Sequence, residues 1–109
     1  MTEEYIQVLT TTGKKEEADK IANAVVAIRL GACAQILGPI VSTYWWKGSV
    51  ETAEEWMCLV KTKRNLFDRL EKTIKEIHSY QTPEIIAIPI VAGSNDYLEW
   101  LRNEVQNVT

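Results

Sequence analysis

A chain of 109 residues, 46% hydrophobic and 25% charged, has the size and composition of one globular domain rather than of a disordered segment. Its net charge is −3 and its Lys and Arg residues are scattered, which excludes the basic face that a phosphate backbone demands and removes nucleic acid as an expected partner. No apolar run approaches the ~20 residues of a membrane span, and Met1 leads into Glu3 and Glu4 instead of a basic leader, so a cytoplasmic protein without a membrane partner is expected.

Tyr5-Ile6-Gln7-Val8-Leu9 is short, apolar and partly β-branched, and predicts a first strand that gives way to a turn at Thr10-Thr11-Thr12-Gly13. Ala18, Ile21, Ala22, Val25 and Ile28 then recur at helical spacing, with Glu16 and Glu17 suited to a first turn and Gly31 to a terminator. A first helix is predicted over 15–30. From Ala32 to Thr62 the period becomes two: Ile40, Ser42, Tyr44 and Trp46 alternate with Val41, Thr43 and Trp45, and Val50, Trp56, Cys58 and Val60 share one parity beyond a turn at Lys47-Gly48-Ser49. Leu66, Phe67, Leu70, Ile74 and Ile77 predict a second helix, N-capped by Asn65 and ending near His78. A strand over 84–91 follows, and Ser94-Asn95-Asp96 caps a last helix carrying Tyr97, Leu98, Trp100 and Leu101.

The order β-α-β-β-α-β-α is that of an α+β, ferredoxin-like split βαβ fold with one added helix and a long hairpin between its second and third strands. Its first and third strands should be central. Pro39 and Pro89 then fall on the two edge strands, where a residue without an N–H is tolerated. Two strands of about 14 residues reach ~45 Å, whereas a helix of about 16 residues spans ~24 Å, so the hairpin should overhang its helices. That overhang would carry Tyr44, Trp45, Trp46 and Trp56, and we expect other subunits of a cyclic oligomer to cover it.

Five motifs in order carry a family resemblance: Gly31-Ala-Cys-Ala-Gln-Ile36, Gly38-Pro-Ile-Val-Ser-Thr-Tyr-Trp-Trp-Lys-Gly48, Glu55 with Lys61-Thr62, His78-Ser-Tyr-Gln-Thr-Pro-Glu-Ile-Ile86, and Tyr97-Leu-Glu-Trp-Leu101. Nearly the whole chain resembles the CutA family of divalent-cation tolerance proteins. The resemblance implies a cytoplasmic homotrimer linked to tolerance of copper and other divalent metals. It departs from the family pattern at Ser79, where proline is usual, and at Gln81, where a glutamate is usual.

Cys33 and His78 occupy positions that the resemblance connects with metal binding, and thiolate and imidazole both suit copper or zinc. Neither has a second ligand nearby in sequence, so a small buried thiol and a helix-ending imidazole are the plainer readings. The two cysteines form no CxxC pair and fit reduced thiols. Tyr44, Trp46, Lys61, Tyr80 and Glu84 are candidates for a small-ligand site between subunits, against plain aromatic packing and a Glu84–Lys61 ion pair. Glu51, Glu54 and Glu55 read as a solvated face, with oxygen ligation of a hard cation as the sharper alternative. No organic cofactor is indicated. Three functions follow: a trimer that binds a metal ion or small ligand, a trimer that binds another protein, and an enzyme in which His78 and Glu84 act as an acid–base pair.

Overall fold

The computed structural model describes residues 4–107; Met1 and Glu3, on which part of the cytoplasmic expectation rests, lie outside them. Its elements are β1 (Tyr5–Thr12), α1 (Lys15–Ala27), β2 (Cys33–Trp46), β3 (Ser49–Lys63), α2 (Phe67–Ile77), β4 (Ile86–Ile90) and α3 (Asn95–Glu104). The strands form an antiparallel sheet in the order β2-β3-β1-β4, with β1 and β3 central as the split βαβ argument requires. Pro39 and Pro89 both lie on edge strands. Among the described residues no helix is long and apolar enough to cross a membrane.

Local differences from the sequence reading have identifiable causes. β1 continues through Thr12 because Thr10, Thr11 and Thr12 pair with Cys58, Met57 and Trp56, and β-branched threonine suits a strand as well as a turn. α1 stops at Ala27. There Leu30 N donates to Val25 O (2.9 Å) and Arg29 N to Val26 O (3.0 Å), a Schellman ending sealed by the buried pair Val25 and Leu30. Arg29, at φ 62°, takes the left-handed position that we expected of Gly31. Gly31 is required for space instead, since a Cβ there would overlap Val60 Cγ1. Asn65 does not cap α2: it lies in a 3-10 turn, Arg64–Leu66, that leads into the helix. Ser94 does cap α3, accepting from Tyr97 N at 3.3 Å.

The helices cover one face of the sheet. Even-numbered Ile6, Val8, Cys58 and Val60 meet Ile21, Val25, Leu70 and Ile74 in the core, and each large aliphatic side chain so buried stabilises the fold by about 1.5–3 kcal/mol. The opposite face carries Leu37, Ile86 and Ile88, which are 56%, 48% and 46% exposed. The molecule measures 45 × 25 × 22 Å, as expected of strands that outrun their helices. Val41 and Trp45, on the outer hairpin, are exposed, whereas Trp56 is half buried against the core and not part of the overhang.

A bulge divides β2. Leu37 pairs with Met57 but Ile40 pairs with Glu55, so Gly38 and Pro39 together oppose Trp56. Before the bulge the even-numbered Ala34 and Ile36 face the helices; beyond it the even-numbered Ser42, Tyr44 and Trp46 share the face of Glu55, which the helices leave open. Gly38 lets the Trp56 indole lie against the backbone, where a Cβ would overlap the ring. Gly38→Ala should therefore cost about 1–3 kcal/mol in chemical denaturation at fixed protein concentration. The penalty should shrink in a Trp56→Leu background, and a double-mutant cycle reads that coupling.

Candidate functional site

His78 ends α2, with its backbone N–H still bonded to Ile74 O, and the chain turns extended there toward β4. Its side chain is wholly buried. Nε2 lies 2.8 Å from Thr11 O, so it must carry the proton, and Nδ1 accepts from Tyr80 N at 3.1 Å. Both ring nitrogens are thus engaged by backbone. Glu17 Oε1 is 3.9 Å from Nδ1, but with Nδ1 an acceptor this proximity is not an ion pair. The Glu17 carboxylate instead receives Ser79 N and Ser79 Oγ, each at 3.1 Å. A proline at 79 would offer neither donor, so Ser79 ties the connection after α2 to the first turn of α1.

Tyr80 continues the chain of bonds. Its ring lies 4.9 Å from the imidazole, and its hydroxyl donates to Glu55 Oε2 at 2.7 Å. Gly13 makes room for this reach, since a Cβ there would sit 3.0 Å from the phenolic oxygen. Burial, then the hydrogen bond to Glu55 and the charges of Glu55 and Glu17, push the Tyr80 phenol well above its ordinary range. Glu55 is only 6% exposed, which overturns its place on a solvated face; Glu51 and Glu54 are exposed as expected. Sequence parity could not show this, because the bulge beside Glu55 resets which residues oppose it.

The outer half of β2 and the 80–84 connection enclose an open cavity of about 750 Å³. Four of the predicted ligand residues, Tyr44, Trp46, Tyr80 and Glu84, line it together, joined by Glu55 and Trp45. Lys61 does not: it pairs with Gln7 and Cys33 farther along the sheet, and its ammonium is bonded to Gln35 Oε1 rather than to Glu84.

Cys33 and His78 are not brought together. Cys33 is half buried, with Sγ 3.8 Å from Tyr97 Oη, and partial burial together with that thiol holds the Tyr97 phenol above its usual value. Burial, with a contribution from Asp19, pushes the Cys58 thiol up to about 11, which makes it a core residue and a poor ligand. Among the described residues no three His, Cys, Asp or Glu side chains are grouped to hold a metal ion. His78 would have to break a buried hydrogen bond to become a ligand. Among the described residues of one chain, Cys33 and His78 are therefore not joined in a group of ligands. Nor are His78 and Glu84 joined as an acid–base pair, since both imidazole nitrogens are bonded elsewhere.

A sequence model described as CutA1 divalent ion tolerance protein matches residues 6–104. The chain is 43% identical over 95 residues to the divalent-cation tolerance protein CutA of Thermus thermophilus, covering 87% of this chain and 92% of that protein. It is 40% identical over 101 residues to the chloroplastic protein CutA 1 of Oryza sativa, covering 93% of this chain and 57% of the rice protein. The chain thus spans little more than half the length of its plant relatives. Among solved structures, the Cut A1 divalent cation tolerance protein of T. thermophilus superposes with a TM-score of 0.91 at 40% identity, over 94% of this chain and 99% of that one. CutA1 from O. sativa gives 0.93 at 38% identity, over 96% of each.

Because the Tyr80 phenol titrates higher in the folded state than its ordinary 10.0, the stability it contributes is complete below about pH 10. That contribution is lost as pH rises through the folded value. Denaturation midpoints should be insensitive to this group between about pH 8 and 10 and fall as pH rises above about 10, and Tyr80→Phe should flatten that fall. At neutral pH the same substitution leaves Glu55 without its donor and should cost about 1–3 kcal/mol.

Proposed function

The chain belongs to the CutA1 divalent ion tolerance family, and from that premise we propose that it is a cytoplasmic, homotrimeric binding protein of divalent-cation tolerance. It works by taking up a small ligand in the cavity between the outer hairpin and the 80–84 connection. The observation that carries this reading is the convergence of Tyr44 and Trp46 with Tyr80 and Glu84 on one cavity, from segments far apart in the chain. Two features support assembly: the apolar sheet face with Leu37, Ile86 and Ile88, and the overhanging Val41 and Trp45. The cavity lies on the same overhang, so assembly and ligand uptake involve one region of the chain.

A direct metal reading has its best support at Cys33, whose thiol is half buried and has Tyr97 as its side-chain partner. A copper ion there would draw its other ligands from outside this set of residues. Light scattering on the eluting protein should give the mass of three chains, and Ile88→Lys should shift it toward one. In calorimetric titration with copper, Cys33→Ser should abolish heat that His78→Gln leaves in place. A small-molecule panel should raise the melting temperature of the metal-free protein by mass action; a panel spanning cations, anions and neutral compounds that leaves it unmoved refutes the cavity reading.

A further inference from the structure

We propose that His78 is a proton-operated latch on the connection between α2 and β4: neutral, it holds the Tyr80 backbone, and protonated, it turns to Glu17 and frees the part of the cavity wall that Tyr80 builds. The first observation is how the imidazole is used. It is the only imidazole in the chain and is wholly buried, with Nε2–H committed to Thr11 O at 2.8 Å and its one acceptor lone pair, on Nδ1, taken by Tyr80 N at 3.1 Å. An imidazolium donates from both nitrogens and accepts at neither. On protonation Nε2 keeps its bond, but Nδ1–H then points at the Tyr80 N–H, and one of the two donors must leave.

The second observation is an acceptor already in place. Glu17 Oε1 lies 3.9 Å from Nδ1, and the carboxylate is held there by Ser79 Oγ on Oε1 and Ser79 N on Oε2, each at 3.1 Å. A shift of about 1 Å brings Nδ1–H within bonding distance of Oε1, which has a second lone pair to offer. The Glu17 side chain is 17% exposed, so it also links the buried ring to water, the source of the proton. The groups that face the imidazole are Glu17 from α1, the uncharged Thr11 carbonyl from β1 and Tyr80 from its own connection, with Glu55 of β3 beyond the Tyr80 hydroxyl. Tyr80, whose phenol titrates above its ordinary range, keeps its proton throughout. The third observation is what the latch holds. Displacing the Tyr80 backbone moves a ring that lies 4.9 Å from the imidazole, the 2.7 Å bond to Glu55, and the run of Gln81, Thr82 and Glu84 along the cavity wall. One proton is thereby coupled to the shape of the cavity, whether or not a ligand occupies it.

The test follows the full chain in its native assembly, without ligand, by nuclear magnetic resonance between about pH 8 and 5, where an ordinary imidazole titrates and most carboxylates stay charged. The imidazole nitrogens report His78, the Tyr80 amide reports the bond, and the indole N–H of Trp46 reports the cavity wall. Trp100, on α3 and outside that wall, is the internal control. As His78 becomes charged, the Tyr80 amide should lose about tenfold or more of its protection against hydrogen exchange, and Trp46 should shift with the same midpoint while Trp100 stays in place. Glu17→Gln should move the common midpoint toward acid, and Ser79→Pro, which removes both donors that aim the carboxylate, should do so by less. His78→Gln, whose amide can donate to Thr11 O and accept from Tyr80 N, should leave Trp46 without a response to pH. The titration of the unaltered chain decides the matter even if that variant does not fold. An imidazole that becomes charged while Tyr80 keeps its protection, an imidazole still neutral at about pH 5, or a Trp46 response that survives in His78→Gln each overturns the latch. None of these results bears on ligand uptake, and a small-molecule panel without effect leaves the latch standing.

Discussion

The buried imidazole of His78 is the constraint on which the site depends. With Nε2 on Thr11 O and Nδ1 on Tyr80 N, one side chain ties the end of α2 to β1 and fixes the direction in which the next residues leave. Tyr80 can then pass Gly13 and reach Glu55 on β3, while Ser79 bonds to Glu17 on α1. Four elements are thereby joined through one short connection. The His78 and Tyr80 bonds are individually modest but costly to break, since each loss leaves a buried or half-buried partner without its bond, whereas the Ser79–Glu17 bonds lie in water.

The bulge at Gly38 and Pro39 supplies the other wall. A strand of period two exposes each residue to a fixed face, and one extra residue exchanges the faces for all that follow. In β2 this exchange places Ser42, Tyr44 and Trp46 on the side of Glu55 instead of on the side of the helices. Aromatic rings that would otherwise hang beyond the helix layer come to face the Tyr80 connection. The cavity is the space between a strand turned by its bulge and a loop pinned by its histidine.

The arrangement also separates two chemistries that the family's association with divalent ions would merge. Cys33 and His78, the residue types that suit copper, lie apart, and the imidazole is occupied by backbone. The cavity gathers carboxylates and aromatic rings without thiol or imidazole. A role in cation tolerance that runs through a bound small molecule is consistent with this division of side chains.

Much of the fold was legible in the sequence. The change from period two to period 3.6 located the strands and helices, the proline positions marked both edges, and the length of the central hairpin predicted its overhang, because each depends on backbone geometry repeated over many residues. Four of the six aromatic and acidic residues on the cavity wall, Tyr44, Trp46, Tyr80 and Glu84, were also named from sequence. Tertiary structure alone decided the rest. Glu55 reads as one of three surface glutamates until the β2 bulge brings Ile40 opposite it and Tyr80 bonds to it, and Lys61 reads as a partner of Glu84 until the register places it elsewhere along the sheet. His78 reads as a ligand or a base until its two nitrogens are seen to be taken by Thr11 and Tyr80, residues whose proximity follows from packing and not from spacing. Periodicity reports which face a residue shares; which partner waits on that face depends on register and loop path, and these are fixed only when the whole chain is packed.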